Sequence, residues 1–519
     1  MMFVDYLDRG SSADPAAPCM LAPDGTVLMT HEEFTAVSHR VAVALVDAGL
    51  RPGERVAILS PNDPYAFAAA VGVIRAGGVW CAGHSASAVD DYVTFLDLAG
   101  ATRLIYHGSL ADRATAVIDR LPALADAVSI GPGRDGDPEL ASWMAPEGAK
   151  APMLPVDTSR DMLFISTGGT TGKPKVVPIS NRQAHLMYVA ISVHAAEPAP
   201  PRHLIATPMA HAGGSLVFPT LGAGGSVVIH QEVEPEEIAA SIERNRVTRL
   251  FLPAADLYEL LAHPSVREHD YSSLRHFFLS ASPIPPERIA EAVDVFGPVM
   301  TQYYSQSEAP LTCTVLTTQD IAGAVAPGGD RRRLASCGKP TVVARVEVID
   351  DDGEILPPEQ LGELAVRSDL VFSGYWENPD ATAETRRPNG WHGTGDIGLR
   401  DKDGYLYIVD RKKDMIITGG LNVYSSEVEA VIHTFPEVRD CAVIGLPHEK
   451  WGEVVTAVVE PEAGREVDVE AILRTCRDRL GPVKTPQSVL VRELPRSPVG
   501  KVLKRELRDE YWAAHDRKV

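Results

Sequence analysis

The chain has 519 residues, of which 70 are acidic and 49 basic, so its formal net charge is −21 at neutral pH. The length suits about three folding units, and a composition of 45% hydrophobic and 23% charged residues is ordinary for a globular protein. A field this negative repels nucleic acid and anionic membranes, which excludes both as general partners. An anionic ligand would therefore need a local cationic site.

The cysteine and hydropathy patterns indicate the compartment. The 6 cysteines are spread along the chain without a Cys-x-x-Cys pair, which predicts reduced thiols instead of a disulfide framework or a zinc site. The N-terminus has no signal-peptide pattern, and the most apolar stretch, residues 66–82, is interrupted by Arg75. We therefore expect a soluble, cytoplasmic protein with no membrane span.

The first 110 residues alternate helix and strand signals. Thr30 and Glu33 have capping-box spacing at the start of an amphipathic helix, and the apolar run 56–59 suits a buried parallel strand. Further strand-like runs, typical of repeated βαβ units, lie at 79–82, 204–206, 227–229, 250–252 and 277–279. Surface loops are expected at 151–155, 195–201 and 322–333.

The C-terminal third has a different pattern. Residues 343–407 alternate and are rich in turns, which predicts a β-subdomain. After Lys413 the predicted order is helix, strand, strand, helix and strand, at 425–433, 441–445, 454–459, 467–480 and 489–491. We predict an α/β fold with a large N-terminal domain of layered α/β subdomains plus the β-subdomain, residues 1–412, and a small α+β C-terminal domain, residues 413–519.

The segment from Ser166 to Lys175 carries the strongest chemical signal. It follows a strand-like run and holds three glycines, four hydroxyl side chains and two lysines. Glycines allow the backbone to approach phosphate oxygens, hydroxyls donate hydrogen bonds and lysines supply positive charge. It is not a Walker A loop, which would require Gly at Thr167 and Ser or Thr at Pro174. We interpret it as a phosphate-binding segment.

Four later segments occur in a fixed order, namely YYSQSE at 303–308, WHGTGD at 391–396, DRKKDMI at 410–416 and SPVGKVLK at 497–504. In this set and order the chain resembles the adenylate-forming acyl-CoA synthetases, the AMP-binding or ANL superfamily. The resemblance runs through nearly the whole chain. It implies activation of a carboxylic acid by ATP to an acyl-adenylate, release of pyrophosphate and transfer of the acyl group to a thiol, usually that of CoA.

The resemblance also assigns the nucleotide contacts. Glu308 would be the Mg²⁺ ligand, Asp396 and Arg411 would contact the ribose hydroxyls, and Lys501 would be the catalytic cation. The remaining nucleotide-binding residues it implies are Ser166, Thr167, Gly168, Gly169, Thr170, Thr171, Gly172, Lys173, Lys175, Ser282, Pro283, Tyr303, Tyr304 and Ser307.

The same resemblance locates the acyl pocket around residues 208–214, with His211 as the ring that gates it. We find no Asp there to hold an α-amine and no cation for a second carboxylate. The residues expected along the pocket are small, namely Ala212, Gly213, Gly214, Ala281 and Ser305, the last replacing a family glycine. The predicted substrate is an apolar acid that is bulky or long, as in fatty-acid or natural-product metabolism.

The C-terminal domain would be a mobile lid. By the resemblance, it rotates about the hinge residue Lys413 between the two half-reactions. Lys501 would reach the active site for adenylation, and Gly419 and Gly420 would then form the narrow wall of a pantetheine tunnel. The expected cofactors and co-substrates are ATP, Mg²⁺ and CoA.

Several alternatives remain open. The acceptor could be the phosphopantetheine of a carrier protein, and the partner could also be a second copy of the chain. Ser305, together with Val176 where the family often has Gly, leaves open a variant that performs mainly the thioesterification half-reaction. A non-catalytic nucleotide-binding paralogue is a third reading. The absence of a Gly-x-Ser-x-Gly elbow disfavours a serine hydrolase, and the failed Walker A match disfavours a P-loop kinase.

Overall fold

The computed structural model describes residues 2–124, 126–167, 174–210, 213–280, 282–496 and 502–512. By its internal contacts the chain divides into two compact units. The first comprises residues 1–346 and 366–386, and the second comprises residues 347–365 and 387–519.

Helices and strands alternate along most of the chain. The α-helices are α1 Val4–Ala13, α2 His31–Asp47, α3 Pro64–Arg75, α4 Val89–Ala99, α5 Ala111–Arg120, α6 Leu140–Trp143, α7 Asn181–His194, α8 Gly214–Gly222, α9 Pro235–Asn245, α10 Ala254–Ala262, α11 Pro286–Phe296, α12 Thr318–Val325, α13 Pro379–Ala383, α14 Ser425–Ile432, α15 Val469–Leu480 and α16 Lys504–Trp512. Short 3₁₀ helices lie at Gly108–Leu110, Pro122–Leu124, Pro264–Glu268, Arg331–Ala335 and Pro388–Gly390.

The strands are β1 Pro18–Leu21, β2 Val27–Thr30, β3 Arg55–Leu59, β4 Val79–Ala82, β5 Ala101–His107, β6 Asp126–Ile130, β7 Asp161–Thr167, β8 Lys175–Ser180, β9 Arg202–Ile205, β10 Ser226–Ile229, β11 Arg249–Phe251, β12 His276–Leu279, β13 Met300–Gln306, β14 Ala309–Leu316, β15 Lys339–Pro340, β16 Arg345–Ile349, β17 Gly362–Arg367, β18 His392–Arg400, β19 Leu406–Arg411, β20 Ile416–Thr418, β21 Leu421–Val423, β22 Val438–His448, β23 Gly452–Pro461 and β24 Ser488–Val491.

The first unit is built on two largely parallel sheets. One has the strand order β6-β5-β3-β4-β7-β8, in which only the last pairing is antiparallel. The other has the order β15-β14-β13-β12-β11-β9-β10-β1-β2 and is parallel from β13 to β1. Helices α2 and α3 pack so closely that a Cβ at Gly72 would lie 2.8 Å from Val41. This α/β layering is the predicted fold class.

The sequence predictions for this unit agree with the structure except in one loop. Thr30 and Glu33 form the expected capping box at the start of α2, and all the predicted parallel strands are present within two residues of their expected ends. The prediction of a loop at residues 322–333 is partly wrong, because α12 continues to Val325. A capping box between Thr317 and Asp320 begins that helix.

The second unit contains two smaller sheets. One has the order β16-β17-β18-β19, and the other has the order β21-β20-β23-β22 with β24 paired to β23. Helices α14 and α15 cover the second sheet, with Val428 and Ile472 fully buried in its core. The five elements predicted after Lys413 occur in the predicted order as α14, β22, β23, α15 and β24, and the structure adds β20 and β21 before them and α16 after them.

Two composition-based expectations can also be compared with the structure. All six cysteines are buried free thiols. Among the described residues, no helix has the length and apolar character needed to cross a membrane.

Candidate functional site

The predicted phosphate-binding segment joins β7 to β8. Ser166 and Thr167 end β7, Lys175 begins β8, and the antiparallel register pairs Ser166 with Val176 and Thr167 with Lys175. Gly168, Gly169, Thr170, Thr171, Gly172 and Lys173 lie outside the described residues. The two ends of the segment are therefore held together by strand pairing.

Glu308 lies at the turn of the β13–β14 hairpin. Gln306 pairs with Ala309, so that Ser307 and Glu308 form the connection between the strands. The backbone N–H of Phe372 donates a hydrogen bond of 2.8 Å to the Glu308 carbonyl oxygen. Only 9% of Glu308 is exposed, so this acidic residue is largely buried at a fixed turn.

Tyr375 connects Glu308 with the phosphate-binding segment. Its hydroxyl donates a hydrogen bond of 2.5 Å to Oε1 of Glu308, and the ammonium of Lys175 lies 4.6 Å from the centre of its ring. Burial raises the pKa of the Tyr375 phenol, and the Glu308 charge raises it further. The phenol is therefore a hydrogen-bond donor at neutral pH. The sequence analysis missed Tyr375, since one Tyr after a Gly is not a distinctive signal.

The Glu308 carboxylate is suited to a magnesium ion that also binds phosphate. Among the described residues, only Tyr375 hydrogen-bonds to this carboxylate, which leaves Oε2 for another ligand. No group of three or more His, Cys, Asp or Glu side chains that could hold a metal occurs in the described part of the chain. Mg²⁺ commonly uses one or two carboxylates together with substrate phosphates and water, and Glu308 fits that pattern.

Several residues expected to bind the nucleotide or line the acyl pocket lie on β13 or just after β12 or β13. Ser282 and Pro283 are exposed just beyond β12, whereas Tyr303 is only 3% exposed and its ring lies 5.9 Å from that of Phe278. Strand alternation directs Tyr304 to the opposite face of β13 from Tyr303. Ser305 and Ser307 follow with half-buried side chains, and Ala281 lies outside the described residues.

Close backbone packing explains the glycines of the expected acyl-pocket segment. Gly214 is the first residue of α8, and a Cβ on it would lie 1.7 Å from the Met209 carbonyl oxygen. A Cβ on Gly213 would lie 2.1 Å from the Thr207 hydroxyl oxygen. His211 and Ala212 lie outside the described residues. Contacts within the chain, with a backbone carbonyl at Gly214 and a side-chain hydroxyl at Gly213, therefore account for both glycines, independently of any space they leave for a substrate.

Asn62 anchors this segment and was not identified from the sequence. Its amide nitrogen donates hydrogen bonds to the carbonyl oxygens of Thr207, at 3.1 Å, and His230, at 2.8 Å. Its amide oxygen accepts a hydrogen bond of 2.8 Å from the backbone N–H of Met209. A buried amide with three backbone partners fixes the start of the segment.

In the second unit, the two residues expected to bind ribose are neighbours. Asp396 on β18 pairs directly with Arg411 on β19, and Nε of Arg411 lies 3.2 Å from Oδ1 of Asp396. Asp396 is buried and Arg411 is half-buried. The strand register brings the two side chains together. The two sequence signatures, taken separately, do not reveal this proximity.

A buried glutamate holds the part of β18 that precedes Asp396. Oε1 of Glu363 accepts a hydrogen bond of 3.0 Å from the backbone N–H of Gly395, and Lys412 donates its own N–H to the Gly395 carbonyl at 2.8 Å. The Thr394 hydroxyl accepts a 3.1 Å hydrogen bond from the Asp396 N–H. Asp396 is therefore positioned by contacts that begin at Glu363, a second residue that the sequence analysis missed.

The remaining predicted residues lie on the small sheet of the second unit. Gly419 and Gly420 form the two-residue turn between β20 and β21, with φ of 57° and 82°, as a type I′ turn requires. Lys413 is exposed, and its carbonyl oxygen accepts a 2.8 Å hydrogen bond from Arg508. Lys501 lies outside the described residues.

The chain is similar to known proteins over most of its length. A profile described as "AMP-binding enzyme" matches residues 7–376, and one described as "AMP-binding enzyme C-terminal domain" matches residues 427–501. The chain is 38% identical over 488 residues to a medium/long-chain-fatty-acid–CoA ligase of Mycobacterium tuberculosis, FadD8, covering 91% of this chain and 84% of the relative. It is 32% identical over 517 residues to a feruloyl-CoA synthase of Amycolatopsis, covering 97% and 99%.

The similarity extends to solved structures. The crystal structure of ATP-bound MatB from Rhodopseudomonas palustris superposes with a TM-score of 0.86 at 27% identity, covering 98% of this chain and 99% of the other.

Proposed function

The chain belongs to the AMP-binding enzymes and is an AMP-forming acid–thiol ligase, and we propose that it converts an apolar, bulky or long carboxylic acid to its CoA thioester. The observation that carries the proposal is the link from Lys175 through Tyr375 to Glu308. It joins a cation beside the phosphate-binding segment to a buried carboxylate suited to Mg²⁺. Such a pair fits a polyphosphate substrate better than any other ligand class.

The reaction has two steps. In the first, a carboxylate oxygen of the acid attacks the α-phosphorus of ATP, the bond to the β-phosphate oxygen breaks, and pyrophosphate leaves. In the second, the CoA thiol loses its proton and attacks the acyl carbonyl, and AMP leaves. A magnesium ion bound by Glu308 would neutralise phosphate charge during the first step.

The protein's own residues orient the reactants. Lys175, with Ser166 and Thr167, would hold the β- and γ-phosphates, and the Ser307 hydroxyl would hold the α-phosphate. We assign the ribose hydroxyls to Asp396 and Arg411, whose ion pair supports a shared role. These fixed charges lower the barrier because they need no reorganisation as negative charge develops.

Domain motion would separate the two steps. We propose that residues 413–519 rotate about Lys413, which brings Lys501 to the acid's carboxylate in the first step and replaces it with Gly419 and Gly420 in the second. The glycine-only turn supports the second role, because a narrow tunnel wall tolerates no side chain there.

The named substrates of the relatives support an apolar acid. One relative is named for medium- and long-chain fatty acids and another for the aromatic acid ferulate. We therefore propose a fatty or aryl-propenoic acid, with free CoA as the acceptor.

An acid panel tests the proposal directly. ATP–pyrophosphate exchange should occur with one or more fatty or aryl-propenoic acids, and acyl-CoA should form with the same acids when CoA is added. No exchange with any acid, but acyl-CoA formed from a supplied acyl-adenylate, would refute the two-step reaction. Transfer to a phosphopantetheine carrier protein but not to CoA would identify the carrier as the acceptor instead.

Lys501→Ala tests the assignment of the catalytic cation. Adenylation should fall at least about 100-fold, because charge stabilisation of this kind contributes a few kcal/mol. Thioester formation from a supplied acyl-adenylate should change much less. Lys402→Ala, at an exposed position in the same unit, is the matched control. Equal losses in both half-reactions would contradict the rotating-lid assignment.

A further inference from the structure

The segment formed by residues 372–376, here called the bridging segment, contacts both halves of the phosphate machinery in the first unit. The Phe372 N–H donates to the Glu308 carbonyl at 2.8 Å, and the Trp376 N–H donates to the Val176 carbonyl at 2.9 Å. It is thus hydrogen-bonded to the hairpin that carries Glu308 and to the strand that begins at Lys175. Tyr375 lies between these two anchors.

The bridging segment is rigid enough to position a side chain. The rings of Phe372 and Tyr375 meet edge to face at 4.9 Å, and the Tyr375 N–H donates to the Thr382 hydroxyl at 2.9 Å. Gly374 has a φ of 148°, and a Cβ there would lie 2.7 Å from Cγ2 of Thr382. The side chain and the backbone of Tyr375 are therefore both fixed. The preceding position accepts only Gly, because a Cβ there would overlap Thr382.

The two contacts of Tyr375 have different consequences. Its hydroxyl bonds only one oxygen of the Glu308 carboxylate, which fixes the rotation of that group and directs Oε2 to a second ligand. Its ring face receives the Lys175 ammonium. A carboxylate held in one rotamer binds a cation without the entropic cost of ordering it first.

On the basis of the proposed function, we propose that Tyr375 is a positioning residue for the nucleotide–magnesium complex, which orients Glu308 through its hydroxyl and Lys175 through its ring. It touches neither substrate nor reacting atoms. The role is separable into two parts, because Tyr375→Phe removes the hydroxyl and keeps the ring, whereas Tyr375→Leu removes both.

Titration calorimetry with α,β-methylene-ATP, whose α–β bridge cannot be cleaved so that no acyl-adenylate forms, tests this role apart from catalysis. The quantity of interest is the ratio of the Kd in EDTA to the Kd in excess Mg²⁺, here called the magnesium gain. Tyr375→Phe should lower the magnesium gain about threefold to tenfold, the value of one ordinary net hydrogen bond, and leave the Kd in EDTA unchanged. Tyr375→Leu should also weaken binding in EDTA about twofold to fivefold, because Lys175 loses its ring contact.

Two further variants complete the cycle. Glu308→Gln should lower the magnesium gain, and adding Tyr375→Phe to it should lower the gain no further, since the hydroxyl acts through Glu308. Tyr271→Phe, which removes another buried phenol hydroxyl that donates to the Val266 carbonyl at 2.6 Å, should leave the gain at the wild-type value.

The outcomes distinguish failure of the positioning role of Tyr375 from failure of Glu308 as the magnesium ligand. A wild-type magnesium gain in Tyr375→Phe, with a lowered gain in Glu308→Gln, overturns the positioning role and leaves the proposed function standing. Independent, multiplicative losses in the double variant overturn it as well. A wild-type gain in Glu308→Gln refutes Glu308 as the magnesium ligand, and the positioning role falls with that part of the proposed function.

Discussion

The Glu363 carboxylate accepts two hydrogen bonds from the guanidinium of Arg387, at 2.9 and 2.8 Å. Burial alone would raise the pKa of Glu363, but the hydrogen bonds and charge of Arg387 outweigh it and lower the pKa below its usual value. Glu363 is therefore ionised at neutral pH and able to bind the Gly395 N–H as well. This ion pair fixes the part of β18 that presents Asp396.

We expect Glu363→Gln to weaken ATP binding as well as the fold. The neutral amide weakens the hydrogen bonds that the Arg387 guanidinium makes to a charged carboxylate, which should lower the free energy of unfolding by about 1–3 kcal/mol. The KM for ATP should rise severalfold, because Asp396 loses its fixed position. Glu347→Gln, which removes an ion pair of 3.4 Å with Arg400 in the same unit, should lower stability without changing this KM. An unchanged KM in Glu363→Gln would contradict the proposed link to Asp396.

Asn62→Ala should disturb the segment that begins at Thr207. Three backbone groups lose their partner, so the free energy of unfolding should fall by about 2–3 kcal/mol, and the KM for the acid should rise. Urea denaturation and exchange kinetics measure the two effects. Asn245→Ala removes a buried amide that bonds Pro23 and Ser241, and it should cost stability alone. The same KM change in both variants would show that the effect is not local.

The close approach of α8 to Met209 predicts that Gly214→Ala is severe. The new methyl group would overlap the Met209 carbonyl, so α8 must shift, and we expect a loss of about 2–4 kcal/mol in stability with a large loss of adenylation. Gly323→Ala in α12 meets no atom within 4 Å and should stabilise the chain by about 0.5–1 kcal/mol. Chemical denaturation of the two variants checks the contrast, which a neutral Gly214→Ala would refute.

Asp161 gives a pH-dependent prediction. Burial raises its pKa from 3.8 to about 6, so between these values the folded chain retains a proton that the unfolded chain has released. The contribution of Asp161 to stability therefore falls as the pH rises through this window. Asp161→Asn should be more stable than the wild type at pH 7 by about 1–2 kcal/mol, with little difference at pH 4. Equal differences at both values would contradict the shift.

The turn between β20 and β21 predicts a selective effect on thioester formation. Gly420→Ala places a side chain at a φ of 82° and should cost about 1 kcal/mol in stability. Gly464→Ala, at a φ of 76° in the same unit and equally free of neighbours, should cost the same. Only Gly420→Ala should slow acyl transfer from a supplied acyl-adenylate to CoA. Equal transfer rates would remove Gly420 from the proposed tunnel wall.

The regular elements could be predicted because their signals are local. The Thr30–Glu33 capping box and the apolar run of β3 each lie within a few residues, and both occur as predicted. Helix α12 was missed because Gly323 is a weak helix former and a stretch rich in Pro and Gly follows at 327–329, whereas the start of the helix depends on a cap at Thr317.

The residues that position the site could not be predicted in the same way. Asn62 hydrogen-bonds to the carbonyl oxygens of Thr207 and His230, and Tyr375 hydrogen-bonds to Glu308. These partners are distant in sequence, so the roles of both residues depend on contacts made only in the folded chain. Neither residue belongs to a sequence pattern with a chemical meaning of its own. The motif residues were recognisable, whereas the side chains that orient them became visible only through the structure.

The pairing of Asp396 with Arg411 has a consequence for the order of folding. These residues are joined by one short hairpin, and hairpins form in about 1–10 μs because little chain entropy is lost in closing them. The Lys175–Tyr375–Glu308 link instead requires segments far apart in sequence, and such contacts form late. We expect the β18–β19 hairpin to form early in folding, whereas the Lys175–Tyr375–Glu308 link forms only at the final collapse of the first unit.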